Sequence, residues 1–543
     1  MKEKKWISLT LSLVLLLSMV LPVRAEEKSF PDVEGHWAQS VIEKWHSFGV
    51  IAGDTATGAF RPDDSLSRAE FATLLNRIMG YPLVEIKHFS DVPADSWYAE
   101  TMSRLNSAGI IKGDGNNMVR PKDPVTRQEA AVILCRALGI EEQKADVKFL
   151  DADEISSWAE GAVGALYNMG AIQGWEGYFD PQDPITRVQA VTLLNNLIGA
   201  AMTMPGTWTQ DVRGDFYVCT KRARLENMTV TGDLILTTGV DTGDVTLSNV
   251  RVKGDVIVLG CGERSLHVES GCRLEGDMVL SKTIDGVLRV VNESDDPIPS
   301  IQISKGKSTV ILEGALGKVA VSCDVPVILR SGKTETLTVS VPNTSLTVEK
   351  EHTVSALTVE KEAKGTEIAV NGTVTALTTH AAAKITNAGK IDSAHAAASG
   401  LVLAGTKPVK VSVLSGAGKP KDGNGKPITP VSVLTSSGKP YTGSSGGGSS
   451  SGGSGSSSPS PSPSPSPEPS QSPEPSPSES PSPSPSESPE PSPSESPEPS
   501  PSESPDPTPS ESSDPTPSES PDPSPSESPD PPTGGGGEEP GQE

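Results

Sequence analysis

The sequence predicts a multidomain chain: an all-α bundle, then an all-β region read as a parallel β-solenoid, then a disordered Pro/Ser-rich tail. Three observations carry this reading. A block of about sixty residues recurs three times, opened by Phe30, Phe89 and Phe149 at spacings of 59 and 60. Gly-Asp pairs then recur every 22 residues, at Gly232, Gly254 and Gly276. Finally, 30 of the 49 prolines lie after residue 458, a density that leaves no sequence for a packed core.

The N-terminus sets the expected compartment. Lys2, Lys4 and Lys5 precede an apolar run from Ile7 to Val20, followed by Val23-Arg24-Ala25. That order is a signal peptide over residues 1–25. The run of 14 residues is short of the ~20 that span a bilayer, so no transmembrane anchor is expected after cleavage. Of the net charge of −25, the last 85 residues supply 18 carboxylates and no Lys or Arg. With no basic excess elsewhere, the composition excludes a nucleic-acid binder. Five scattered cysteines suit neither a disulfide framework nor a metal knuckle. The sequence implies no cofactor and no metal centre.

Within the threefold repeat, proline returns at offset 32 (Pro62, Pro121, Pro181) and arginine at offset 38 (Arg68, Arg127, Arg187). A tryptophan sits at offset 7, 8 or 9 (Trp37, Trp97, Trp158), and the slip is absorbed in a Gly-rich loop. Each block reads as helix, loop, helix. Ser67, Thr126 and Thr186 are N-caps whose hydroxyls satisfy first-turn amides. Each arginine therefore opens a helix, beside backbone N–H groups expected to be free and to favour an anion.

The first block contains Phe30-Pro31-Asp32-Val33, Trp37-Ala38, Gly49-Val50-Ile51, Gly53-Asp54, Phe60-Arg61-Pro62 and Ser67-Arg68-Ala69-Glu70; the second has Phe89-Ser90-Asp91-Val92, Gly113-Asp114 and Thr126-Arg127-Gln128-Glu129. These blocks resemble the S-layer homology (SLH) domain, with copies over 29–82, 88–141 and 148–202. The resemblance implies a pseudo-threefold bundle whose grooves hold a secondary cell-wall polysaccharide, often ending in pyruvylated N-acetylmannosamine. It further implies that Arg68, Arg127 and Arg187 meet the acidic sugar, with Glu70, Glu129, Asp54, Asp114, Trp37, Trp97 and Trp158 as further candidates. Two competing roles stand beside this. The arginines can pair with Glu70 and Glu129 across the bundle, and the tryptophans are expected chiefly in its core. The third copy departs from the pattern, with Gln189 for the motif glutamate and Trp175 after Gly174, so the first two copies are favoured for binding.

From about residue 208 to 440, short Val/Ile/Leu/Thr runs alternate with Gly, Asp and Asn. Leu337, Leu357 and Leu377 add a period of 20, and constant periods suit one solenoid coil per repeat, where a β-sandwich has no such requirement. Residues 218–440 contain no Phe, Tyr or Trp, which removes the platforms a glycan-processing groove needs. The chain is accordingly read as non-enzymatic. Cys261 and Cys272 are not expected to bridge. Arg213-Gly214-Asp215 is read as a turn, not an adhesive tripeptide, and the Asn-X-Ser/Thr sequons as products of composition.

Residues 444–543 begin with Gly/Ser and pass into Ser-Pro alternation with glutamates every eight residues from Glu479 to Glu527. At ~3.1 Å per residue, an extended tail of about 75 residues reaches roughly 230 Å. The expectation as a whole is a secreted protein held at the cell wall, in or beside an S-layer. It would display a structural β domain and an acidic stalk, with self-assembly a further expectation. Surface adhesin or glycan binder is the alternative, and a wall-active enzyme a weaker one.

Overall fold

The computed structural model describes residues 30–435, apart from Ser265, and residues 439–440. The signal peptide expected at 1–25 and the disordered tail expected at 444–543 lie outside the described residues. The described residues belong to one compact unit. Among them, no helix is long and apolar enough to cross a membrane.

The three repeats form six helices: α1 (Gln39–Ser47), α2 (Arg68–Met79), α3 (Ala99–Ser107), α4 (Arg127–Leu138), α5 (Glu160–Asn168) and α6 (Arg187–Leu197). As predicted, α2, α4 and α6 begin at Ser67, Thr126 and Thr186. Each cap is a full capping box, completed by Glu70, Glu129 or Gln189 three residues on. Closure about the pseudo-threefold axis is a ring of backbone bonds. Leu66 N–H donates to Ile185 O (3.0 Å), Ile185 to Val125 O (2.9 Å) and Val125 to Leu66 O (3.0 Å). All three side chains are buried.

The same closure corrects the expectation of free amides at the arginine helices. Arg68 and Ala69 donate their N–H groups to Asp123 O and Pro121 O. Arg127 and Gln128 donate to Asp183 O and Pro181 O, and Arg187 and Val188 to Asp64 O and Pro62 O. The recurrent proline is thus an acceptor for the neighbouring repeat's helix. With the next amide taken by the cap hydroxyl, the first turn has no open N–H groups for an anion.

The tryptophans correct a second expectation. Trp37, Trp97 and Trp158 are 70%, 64% and 51% exposed. They stand just before α1, α3 and α5, and it is the next residue (Ala38, Tyr98 or Ala159) that is buried, so the indole is turned outward.

α6 runs almost directly into the first strand, Ala200–Met202. From there the chain winds into a solenoid of about twelve coils, and its strand pairings are parallel. Ladder register matches the sequence periods. Leu234 lies on Val256 and Val256 on Met278, 22 residues on each time, and Leu337 lies on Leu357 and Leu377 at steps of 20. One apolar column therefore runs Phe216, Leu234, Val256, Met278, Ile301, Val319, Leu337, Leu357, Leu377. Each member is buried, and each such side chain contributes about 1.5–3 kcal/mol.

The Gly-Asp repeat has a mechanical cause. The Asp215 carboxylate accepts the Asp233 N–H (2.9 Å), Asp233 that of Asp255 (2.8 Å) and Asp255 that of Asp277 (2.8 Å). Each carboxylate lies over the next coil's glycine; a Cβ on Gly232, Gly254 or Gly276 would meet it at 2.2–2.3 Å. Asp215 of the Arg-Gly-Asp tripeptide is the first rung of this ladder. All five cysteines are free thiols, as expected for Cys261 and Cys272.

The bundle and the solenoid share a packed junction. The Thr238 hydroxyl donates to Met79 O (2.8 Å) at the end of α2, and Tyr217 and Ile235 are buried in the helical core. Phe48 meets Trp208 (5.5 Å between ring centroids), which meets Phe216 (4.8 Å). The β region's few aromatic residues are thus spent where it meets the helices.

His352 is buried in the solenoid with Nε2 2.8 Å from the Thr334 hydroxyl, and burial lowers its pKa below the ordinary 6.5. The unfolded chain therefore takes up this proton first as pH falls. The stabilising contribution is whole above the unfolded value and is lost as pH drops through 6.5 towards the folded value. Melting temperature should fall between about pH 7 and pH 5, and His352→Gln should flatten part of that slope. An identical slope in the variant would exclude His352 as its source.

Candidate functional site

Three grooves run between the repeats, and each is assembled from all three copies. The first is built on the first repeat's Gly53-Asp54 turn and α2, with Arg187 from the third repeat and Trp97 from the second. The second groove uses Gly113-Asp114 and α4, with Arg68 from the first repeat and Trp158 from the third. The third uses Gly174 and α6, with Arg127 from the second repeat and Trp37 from the first. All ten sequence candidates are thus brought to grooves, but each arginine serves the groove of the following repeat.

The floor of each groove is set by the motif aspartate. Asp32 accepts the Phe60 and Arg61 N–H groups (2.8 and 2.6 Å), Asp91 those of Val119 and Arg120, and Asp151 those of Phe179 and Asp180. Burial works against the Asp32 carboxylate, yet these N–H groups and Arg187 hold it below the usual carboxylate range. Arg61, Arg120 and Asp180 are pinned at φ of 58°, 50° and 53°, left-handed values uncommon for residues with side chains. This frees the preceding carbonyl to face the arginine. Arg68 Nε donates to Val119 O (2.9 Å), Arg127 Nε to Phe179 O (2.5 Å) and Arg187 Nε to Phe60 O (2.8 Å). Burial lowers the pKa of all three guanidinium groups, which stay cationic at neutral pH.

The motif glutamate does two jobs. In Glu70, Oε2 closes the capping box on Ser67 N (2.9 Å) while Oε1 pairs with Arg187 Nη1 (3.3 Å). In Glu129, Oε2 accepts from Thr126 N (3.0 Å) while Oε1 pairs with Arg68 Nη1 and Arg120 Nη2, both at 3.0 Å. Cross-bundle pairing is therefore realised for two arginines. Gln189 keeps the first job, its Oε1 accepting from Thr186 N (3.1 Å), but its other terminal atom is an amide nitrogen and cannot accept from Arg127. Among the described residues Arg127 has no carboxylate within salt-bridge distance; Asp180, Asp183 and Asp151 act on it only through space.

Asp54 and Asp114 are occupied by their own loops. Asp54 Oδ1 accepts the Ala56 and Thr57 N–H groups (3.0 and 2.9 Å) and Asp114 Oδ1 that of Asn116 (2.9 Å). Two groove residues went unread in the sequence. Arg120 carries a recurrence at offset 31, alongside Arg61 and Asp180, that was available to find it. Thr192 carries no such signal; its buried hydroxyl lacks a partner and lines the third groove.

Residues 29–72, 88–131 and 148–191 match the S-layer homology domain family. The chain carries three S-layer homology domains. Its relatives include the amylopullulanase of Thermoanaerobacterium thermosulfurigenes, 33% identical over 32% of this chain and 10% of that protein. The S-layer protein EA1 of Bacillus anthracis is 27% identical over 47% of this chain and 28% of its own length. An S-layer protein of Bacillus licheniformis is 29% identical over 35% and 22%. The chain thus spans between 10% and 28% of these proteins. The SLH domains assign the chain to the cell surface. Relatives named as enzymes and relatives named as S-layer proteins share with it a part that is small against their own lengths.

Proposed function

We propose that the three SLH domains hold this chain to the bacterial wall by binding an acidic secondary cell-wall polysaccharide, and that the solenoid is a structural body rather than an enzyme. The observation that carries the reading is the composition of each groove, which is lined by a buried or half-buried arginine from one repeat and an exposed tryptophan from another. A cation satisfies a sugar carboxylate such as a pyruvyl ketal, and an indole face covers the apolar side of a pyranose ring. The third groove, which the sequence disfavoured, is the best suited. Among the described residues Arg127 has no carboxylate within salt-bridge distance to compete with a ligand, and Gln189 Nε2 and the Thr192 hydroxyl add donors beside it.

The test is co-sedimentation of the protein with wall sacculi before and after chemical removal of the secondary polysaccharide. Binding should require the polysaccharide. Gln189→Glu, which supplies the missing acceptor to Arg127, should weaken binding about tenfold while leaving the fold intact. Undiminished binding to stripped sacculi would overturn the attachment reading. Undiminished binding by the variant would overturn the preference for the third groove.

A further inference from the structure

The third repeat departs from the other two in the turn that follows Gly174. In each copy the residue after the turn glycine donates its N–H to the carbonyl just before the groove floor. These bonds are Asp54 to Ala59 O (2.8 Å), Asp114 to Met118 O (2.9 Å) and Trp175 to Tyr178 O (2.9 Å). The same bond therefore closes loops of four, three and two intervening residues. In the third repeat it is returned, with Tyr178 N–H donating to Trp175 O (2.8 Å). Glu176 and Gly177 take φ of 49° and 89°, the two left-handed positions of a two-residue hairpin turn. Leu150 N–H donates to Gly177 O (2.8 Å) and ties the turn to the start of its own repeat.

The shortened turn changes what stands beside the groove. Asp54 lines the first groove, and Asp114 and Met118 line the second. In the third, Gly174 and Phe179 line the groove, and the hairpin rises from between them. Trp175 and Tyr178 are thus placed at its edge, where the other repeats have an aspartate and Ala59 or Met118. As the hydrogen-bonded pair flanking a two-residue turn, they send their side chains from the same face of the hairpin. Trp175 is 77% exposed and Tyr178 46%, and both stand outside the helical core. The turn holds this aromatic pair in water without using it for packing.

We infer that Trp175 and Tyr178 form a second sugar subsite at the edge of the third groove, taking an uncharged pyranose ring that adjoins the acidic residue held by Arg127. This rests on the reading of that groove as a polysaccharide site, and it adds that the groove reads more than one residue of the polymer. Aromatic side chains cover the apolar face of a sugar ring while their polar edges stay wet. The charge on the hairpin argues for an uncharged ring. Glu176 is exposed at its tip, and residues 174–179 hold no cation, so a second acidic sugar would be repelled. The first two grooves, with Asp54 and Asp114 at the equivalent place, have no such platform. Continuity with the groove favours a glycan over a protein partner, because Gly174 and Phe179 join the aromatic pair directly to its lining.

The full-length protein would be titrated by calorimetry with two probes. One is polysaccharide fragments released from wall sacculi, and the other a single acidic residue, pyruvylated N-acetylmannosamine as its methyl glycoside. The native protein should bind the fragments more tightly than the glycoside. Trp175→Ala combined with Tyr178→Ala should weaken fragment binding about tenfold and leave glycoside binding and melting temperature unchanged, while Trp175→Phe should retain most of the fragment affinity. Arg127→Ala should weaken both probes. Native protein that binds the glycoside as tightly as the fragments, or a double variant that binds fragments as the native protein does, overturns the subsite and leaves wall attachment standing. Equal weakening of both probes in the double variant also overturns it, since the hairpin would then shape the groove and hold no ring. If neither probe binds the native protein, the polysaccharide reading falls and the subsite with it. Loss of self-association in the double variant, with fragment binding unchanged, would assign the aromatic pair to a contact between copies of the chain instead.

Discussion

Arg127→Ala is expected to lower affinity for the acidic wall polysaccharide by tenfold to several hundredfold with a small change in melting temperature. Losing a buried charge-assisted contact to a ligand costs roughly 2–4 kcal/mol, and each 1.4 kcal/mol is a factor of ten. In the free protein the side chain makes one bond to the Phe179 carbonyl and faces its ring at 5.2 Å, so little internal structure depends on it. Arg68→Ala should behave differently. It strands Glu129 beside Arg120 and removes both a 3.0 Å ion pair and a bond to Val119 O, so thermal stability should fall along with binding. Calorimetry and glycan titration on the same two variants read this split. Equal losses of stability with no loss of binding would make both arginines internal struts.

Gly254→Ala is expected to be strongly damaging, as a methyl group added at any rung of the Gly-Asp ladder would be. The new Cβ would lie 2.2 Å from Asp233 Oδ1 and 2.7 Å from the Gly232 backbone. The carboxylate can rotate away, but only by releasing the Asp255 N–H that it holds at 2.8 Å, and the backbone cannot move without parting two coils. Overpacking and the lost charge-assisted bond together cost about 2–4 kcal/mol, which in a body of this size lowers melting by roughly 5–10 °C. Because each coil contacts only its neighbours, the damage should be local and read as new proteolytic cleavage between about residues 230 and 280. Gly306→Ala is the comparison, since its nearest obstacle, Lys282 O, is 3.2 Å away. If the two variants melt together, the ladder does not set register.

Much of this was legible because it is local. The capping boxes at Ser67, Thr126 and Thr186 need only residues three apart, and a hydroxyl before a helical run announces them. The coil length was legible too, since a 22-residue spacing of Gly-Asp is the ladder itself, each glycine leaving room for the carboxylate one coil below. The ten groove candidates all proved to line grooves, because a threefold sequence repeat must place equivalent residues equivalently.

What the sequence alone determined is therefore the repeat, its helices, the coil period and the residue types at each groove. The tertiary structure decided how those residues are shared. Arg187 meets Glu70 across 117 residues because a ring of three backbone bonds closes the bundle, and no spacing within one repeat encodes that partner. Closure also removed the free helix amides, whose first N–H groups go to the neighbouring repeat. It turned the tryptophans outward as well, because Ala38, Tyr98 and Ala159 take the buried positions beside them. Likewise, Gln189 looks like the loss of a motif residue when read along one repeat. In three dimensions it is what leaves Arg127 without a carboxylate, because the atom that would pair with an arginine from another repeat is there a nitrogen instead of an oxygen.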